Sequence, residues 1–149
     1  MRLAVFQPDI PQNLGGMIRT CACFGIAIDV IAPCGFPFSV KALRRSAMDY
    51  ADLAEIRHHV DWDAFLHSIG GARLILLTTK SERNLWKFNF ESSDIILVGR
   101  ESAGAPGFVH DRADAALALP MPGGGRSMNV TVTAGIVLAE ASRQVGLWT

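Results

Sequence analysis

Leu119-Pro-Met-Pro-Gly-Gly-Gly-Arg-Ser-Met-Asn129, followed directly by the apolar run 130–139, is the stretch on which the fold of this chain turns. Gly123, Gly124 and Gly125 admit backbone conformations closed to other residues. Ser127 and Asn129 offer side-chain oxygens that can cap a following helix. A pliant loop feeding a helix N-terminus serves either as a tight strand-to-helix turn or as a sleeve whose backbone N–H groups face a small ligand. Two more loops of the same character lie upstream, and that favours the ligand.

Working outward, short apolar runs alternate with amphipathic segments from end to end. Residues 3–6 read as a buried strand that stops at Pro8. Residues 13–24 read as a helix with Asn13 as its N-cap and Gly25 as its stop. A second strand over 26–31 closes at Pro33, and 40–48 form a short basic helix. Residues 55–60 suit an edge strand, after which Asp61 caps a helix carrying Trp62, Phe65, Leu66 and Ile69 on one face. Buried strands follow at 73–77, 94–98 and 115–119, and a last helix covers 130–144. This alternation predicts an α/β domain: a mainly parallel sheet flanked by helices. Ligands of such sheets bind outside the carboxyl ends of the strands. Three strand ends therefore stand out, at 77–79, 99–104 and 119–127.

The chain has 149 residues, 50% hydrophobic and 19% charged. That suits one domain over residues 1–149 and excludes disorder. No apolar run is long enough to span a bilayer, and Asp9 and Pro11 interrupt the opening segment where a signal peptide would stay apolar. A cytoplasmic protein with no membrane partner is expected. Fourteen basic and fourteen acidic side chains balance, which argues against indiscriminate coating of nucleic acid but not against clustered basic contacts. Lys41, Arg44 and Arg45 form one such cluster; Arg57, His58 and His59 form another. Each reads equally as a solvated face. Cys21, Cys23 and Cys34 are three thiols with no zinc-module spacing, so no metal is expected.

Common nucleotide fingerprints are absent. No Gly-x-Gly-x-x-Gly follows the first strand, and Ala105-Pro106 stands where a phosphate loop needs Lys-Ser or Lys-Thr. There is no Gly-x-Ser-x-Gly elbow.

Three segments in sequence, however, resemble the three motifs of the SPOUT class of RNA 2′-O-methyltransferases. They are Pro11-Gln-Asn-Leu-Gly-Gly-Met-Ile-Arg-Thr20, Leu97-Val-Gly-Arg-Glu-Ser-Ala-Gly-Ala-Pro106 and the opening segment 119–129. The likeness is nearest to the small TrmL type, which acts on the wobble nucleotide of certain tRNAs, and it covers nearly the whole chain. It implies a C-terminal trefoil knot, which periodicity could never suggest because knots are almost absent from proteins. It also implies a homodimer, S-adenosylmethionine as methyl donor (leaving S-adenosylhomocysteine) and tRNA as substrate. By position, Leu77, Thr78, Gly99, Glu101 and Gly104 would hold the cofactor together with Leu119, Met121, Ser127 and Met128. Core packing is the ordinary role of Leu77, Leu119 and Met121; as cofactor residues they would wall the adenine.

The same resemblance assigns the catalytic positions Asn13, Arg19, Glu101, Ser127 and Asn129. Arg19 lies near, but not squarely on, the helical face of Asn13. It reads as a surface arginine or, with the motif, as the group that grips an RNA phosphate and orients the 2′-hydroxyl. Glu101 reads as a surface carboxylate or as the partner that holds Arg19 or Asn13 in place. Arg19, Lys41, Arg44, Arg45 and His59 would contact RNA. The reaction implied is direct methyl transfer by proximity and orientation. The same chemistry on ribosomal RNA or another tRNA position, and an RNA-binding module without catalysis, are the competing readings. Arg100, Ala103 and the triple glycine depart from the type, whose members commonly carry Pro, Arg and bulkier polar residues there.

Overall fold

In the computed structural model, which describes residues 1–39, 41–43, 50 and 52–148, six strands form one sheet: β1 (Arg2–Phe6), β2 (Ala27–Ile31), β3 (Ile56–His59), β4 (Leu74–Leu77), β5 (Ile95–Val98) and β6 (Ala115–Leu117). Their order is β3-β2-β1-β5-β4-β6 and every pairing is parallel. Four helices cover it: α1 (Pro11–Phe24), α2 (Trp62–Ile69), α3 (Gly107–Arg112) and α4 (Val130–Gln144).

Alternate strand residues fill two cores. Leu3, Val5, Ile28, Val30, Ile96 and Val98 face α1 and α4 on one side. Ala4, Phe6, Leu74, Leu76 and Leu97 face Phe65 and Ile69 of α2 and Val109 of α3 on the other. A strand buried on both faces needs apolar residues at every position, which is why the central strands read as unbroken apolar runs. Because all strands run the same way, every strand-to-helix loop opens at one edge of the sheet. The chain leaves β1 toward β2 on one side, while β5 lies on the other, so the loops after β1 and β5 flank a switch point in the topology.

Several boundaries differ from the sequence reading. Helix α1 starts at Pro11 with Ile10 as N-cap, not at Asn13. Proline suits the first helical position, since its missing N–H would have no partner there. Gly25 ends α1 with φ 67°, as a left-handed cap requires. Helix α3 was not foreseen: at six residues it is too short to display a period. Strand β6 ends at Leu117, two residues early. Of the basic helix expected over 40–48, residues 41–43 are helical; Arg44 and Arg45 lie outside the described residues. The edge position of β3 and the Asp61 cap of α2 match the reading. Among the described residues no helix is long and apolar enough to cross a membrane.

Candidate active site

The loops after β1 and β5 are bound to each other through two carboxylates. The Asp9 N–H donates to Glu101 Oε2 at 3.0 Å, and the Glu101 N–H donates to Asp9 Oδ1 at 3.1 Å. The Ser102 hydroxyl donates to Asp9 Oδ2. Hydrogen bonds from Glu101 and Ser102 hold the Asp9 carboxyl down at about 2. Burial, and next the facing Asp9 carboxyl, push the Glu101 carboxyl up from its ordinary range.

Glu101 Oε1 in turn accepts from Asn13 Nδ2 at 3.1 Å, and Asn13 Oδ1 accepts from Asn129 Nδ2 at 3.1 Å. Asn129 Oδ1 accepts from the N–H groups of Thr131 and Val132, capping α4. The Thr131 hydroxyl then returns to the Asn13 carbonyl at 3.0 Å. One relay of side chains thus runs from the loop after β1 through Glu101, Asn13 and Asn129 to the first turn of α4. Asn13 is free for this because Pro11 has moved the start of α1 upstream. Ser127 takes no part in capping; Asn129 satisfies both amides alone.

Beside the relay lies a cleft of about 540 Å³, a volume typical of small-molecule sites. All nine residues assigned to the cofactor border it: Leu77, Thr78, Gly99, Glu101, Gly104, Leu119, Met121, Ser127 and Met128. Asn13 and Asn129 lie on the same wall. Val98, Leu117 and Val130 extend its apolar lining. The tight turn 99–104 leaves no room for a side chain at its start. A Cβ on Gly99 would sit 2.5 Å from Ala105 N and Gly104 C, and Gly104 adopts φ +66°.

Arg19 is exposed on α1 and is not among the residues that border the cleft; its guanidinium lies over the Tyr50 ring, 4.6 Å from the centroid. His59 is turned inward, with Nε2 2.7 Å from Oδ1 of the buried Asp29, so that ring nitrogen is not presented to a ligand. Lys41 is exposed. Glu101 meets Asn13 within one chain, which is the nearer of the two partners the sequence suggested for it.

Sequence reasoning missed Asp9 and His110. Asp9 stands two residues before Pro11, and an acid just ahead of a helix start was the available signal. His110 lies on the unforeseen α3, borders the cleft, and buries an Nε2 that has no hydrogen-bond partner among the described residues. No group of three or more His, Cys, Asp or Glu side chains able to hold a metal ion occurs among the described residues. The described cysteines are unpaired, and burial pushes the Cys21 thiol up to about 12.

A parallel sheet whose strand-end loops converge on a cleft of this build is the site of a methylase: the chain belongs to the SpoU rRNA methylase family, whose model matches residues 1–139. It is 49% identical over 146 residues to the tRNA (cytidine(34)-2′-O)-methyltransferase of Beijerinckia indica, covering 97% of this chain and 91% of that protein. A solved structure concerned with 2′-OH methylation of C/U34 on tRNA is 38% identical, with a TM-score of 0.90 over 96% of this chain and 94% of the other. The AdoMet-bound rRNA methyltransferase of Sinorhizobium meliloti is 25% identical, with a TM-score of 0.83 over 95% of this chain and 55% of its own.

Proposed function

We propose that this chain is an S-adenosylmethionine-dependent methyltransferase acting on the ribose 2′-OH of nucleotide 34 of a tRNA. The observation that carries the reading is the convergence of three loops, far apart in sequence, on one cleft bordered by all nine cofactor positions. The likeness to C34 methyltransferases over nearly the full chain supplies the substrate class.

The cleft fits the cofactor chemically. Leu77, Leu117, Leu119 and Met121 give an apolar slot suited to adenine, and the orphaned His110 Nε2 awaits a polar partner. The loops 99–104 and 119–128 bring backbone groups close because their glycines carry no side chains. When bound, S-adenosylmethionine supplies an activated methyl group and needs no metal to do so. The protein's own residues bind and orient. Glu101 fixes the Asn13 amide, and Asn13 fixes Asn129, so two amides stand rigidly at the cleft wall where a ribose would rest. Arg19 grips a phosphate of the RNA and orients the hydroxyl. Lys41, Arg44 and Arg45 add further phosphate contacts, with His59 beside them.

Arg19 points away from its own cleft, and a homodimer would bring it to the cleft of the partner. The faces of α1 and α4 support this. Gly16 is packed so closely on Thr131 that a Cβ would meet Thr131 Cγ2 at 2.8 Å, making the two helices one slab. Val132, Leu147 and Trp148 are about half exposed on its outer side, an apolar surface suited to burial in an interface. The C-terminal trefoil knot belongs to the same reading. It is supported by the segment after β4, which bonds Ala118 through Arg83 and Leu85 and holds Gln144 through Phe88 and Phe90. The whole of 1–149 then acts as one catalytic domain, working in the cytoplasm where tRNA is found.

The test is methyl transfer from labelled S-adenosylmethionine into tRNA from cells lacking the gene, alongside the same tRNA with 2′-deoxyribose at nucleotide 34. Incorporation into the first and none into the second is expected. Equal incorporation would assign the methyl group to another position.

A further inference from the structure

Tyr50 is the only tyrosine in the chain, and it lies against Arg19 rather than in either core. Its ring is 4.6 Å, centroid to guanidinium carbon, from Arg19. The ring stands on a pinned base. The Tyr50 carbonyl accepts two hydrogen bonds, from the N–H groups of Leu53 and Ala54, both at 3.1 Å. Ala54 packs against the core beneath α1. Tyr50 is half-buried while Arg19 is exposed. A fixed ring therefore faces a long side chain that would otherwise sample many rotamers.

We propose that Tyr50 is a positioning residue for methyl transfer, its ring setting the plane and direction of the Arg19 guanidinium. This rests on the reading of the chain as a ribose methyltransferase with Arg19 on the RNA. The geometry suits the task. A ring engages the face of a guanidinium, whereas a phosphate is bound along its edge, so stacking and phosphate binding do not compete. A carboxylate in the same place would occupy the edge and oppose the RNA's charge. Tyr50 precedes β3 on the strand-end side of the basic segment that includes Lys41, so the ring would aim Arg19 from the side where RNA is expected.

The experiment compares the wild type with Tyr50→Leu, Tyr50→Phe and Arg19→Ala. It measures steady-state methyl transfer to tRNA, S-adenosylmethionine affinity by calorimetry, and thermal melting. Tyr50→Leu is expected to lower kcat/KM for tRNA about tenfold, the scale of a partly desolvated cation–ring contact. Its affinity for S-adenosylmethionine and its melting temperature should match the wild type. Tyr50→Phe should recover the rate, because the ring and not the hydroxyl does the work. Failure of Tyr50→Phe to recover it would overturn the proposal, as would a loss in Tyr50→Leu that tracks melting or cofactor affinity. Wild-type transfer by Tyr50→Leu beside an inactive Arg19→Ala would also overturn it, leaving the functional reading intact. Full transfer by Arg19→Ala would overturn the role of Arg19 itself.

Discussion

Asn13 joins three segments that meet nowhere else through side chains: its amide serves Glu101 and Asn129, and its carbonyl takes the Thr131 hydroxyl. Asn13→Ala leaves Glu101 and Asn129 each short of a partner, and a loss of about 1–3 kcal/mol in urea unfolding is expected, together with loss of methyl transfer. At Glu101 charge and fold pull apart. Folding favours its protonated form, so that contribution is complete below the ordinary carboxylate range and fades as pH rises through the raised value. Asp9 runs the other way: its ionised form stabilises the fold and is lost only as pH falls toward about 2. Glu101→Gln carries a neutral side chain at every pH. It should melt at or above the wild-type temperature at neutral pH, lose that margin in acid, and transfer methyl groups poorly. A lower melting point at neutral pH would contradict this account. Arg19→Ala should abolish transfer while calorimetry finds S-adenosylmethionine affinity nearly intact, and Arg19→Lys should restore little, since an ammonium lacks the fork. Residue types were legible in the chain; partners were not. Asn13, Glu101 and Asn129 could be named from the motif segments, but Asp9 and His110 depend on which loops lie side by side, and sequence spacing does not encode that.

Among the elements, the strands were the most legible, because burial on two faces demands apolar runs. Helix α4 was placed to the residue, between a capping asparagine and the end of its apolar pattern. The start of α1 was misjudged since two capping signals, Pro11 and Asn13, lie two residues apart, and the one not chosen for capping went to the relay. The turn 99–104 carries a sharper lesson. Its first glycine is required by the turn itself, whose own backbone at Gly104 and Ala105 lies 2.5 Å from any added Cβ. Gly99→Ala must therefore displace the turn and weaken S-adenosylmethionine binding, by about tenfold or more for a shift worth 1–3 kcal/mol. Gly104→Ala meets no atom within 4 Å; its cost is that of a side chain at positive φ, about 1–2 kcal/mol. Calorimetry on the pair separates the two causes: a larger loss at Gly104 than at Gly99 would refute the steric account.

At the scale of the molecule, the sheet order and the convergence of loops at one edge follow from parallel strands, whereas the path of the chain around itself has no periodicity to betray it. Half-exposed Val132, Leu147 and Trp148 on the α1–α4 slab predict a homodimer at micromolar concentration by sedimentation; a stable monomer there would refute it. With no net charge to attract RNA at a distance, affinity must come from local phosphate contacts, and its logarithm should fall linearly with that of the salt concentration. The relay reaches from Asn13 to Asn129, 116 residues apart. Synthesis proceeds from the N-terminus, so a ribosome exposes Asp9, Asn13 and Glu101 before it delivers Asn129. Both cores' strands and the carboxylate pair can be in place while α4 is still in the exit tunnel. The last helix then emerges onto a finished template, with the amide that receives its first turn already held in position.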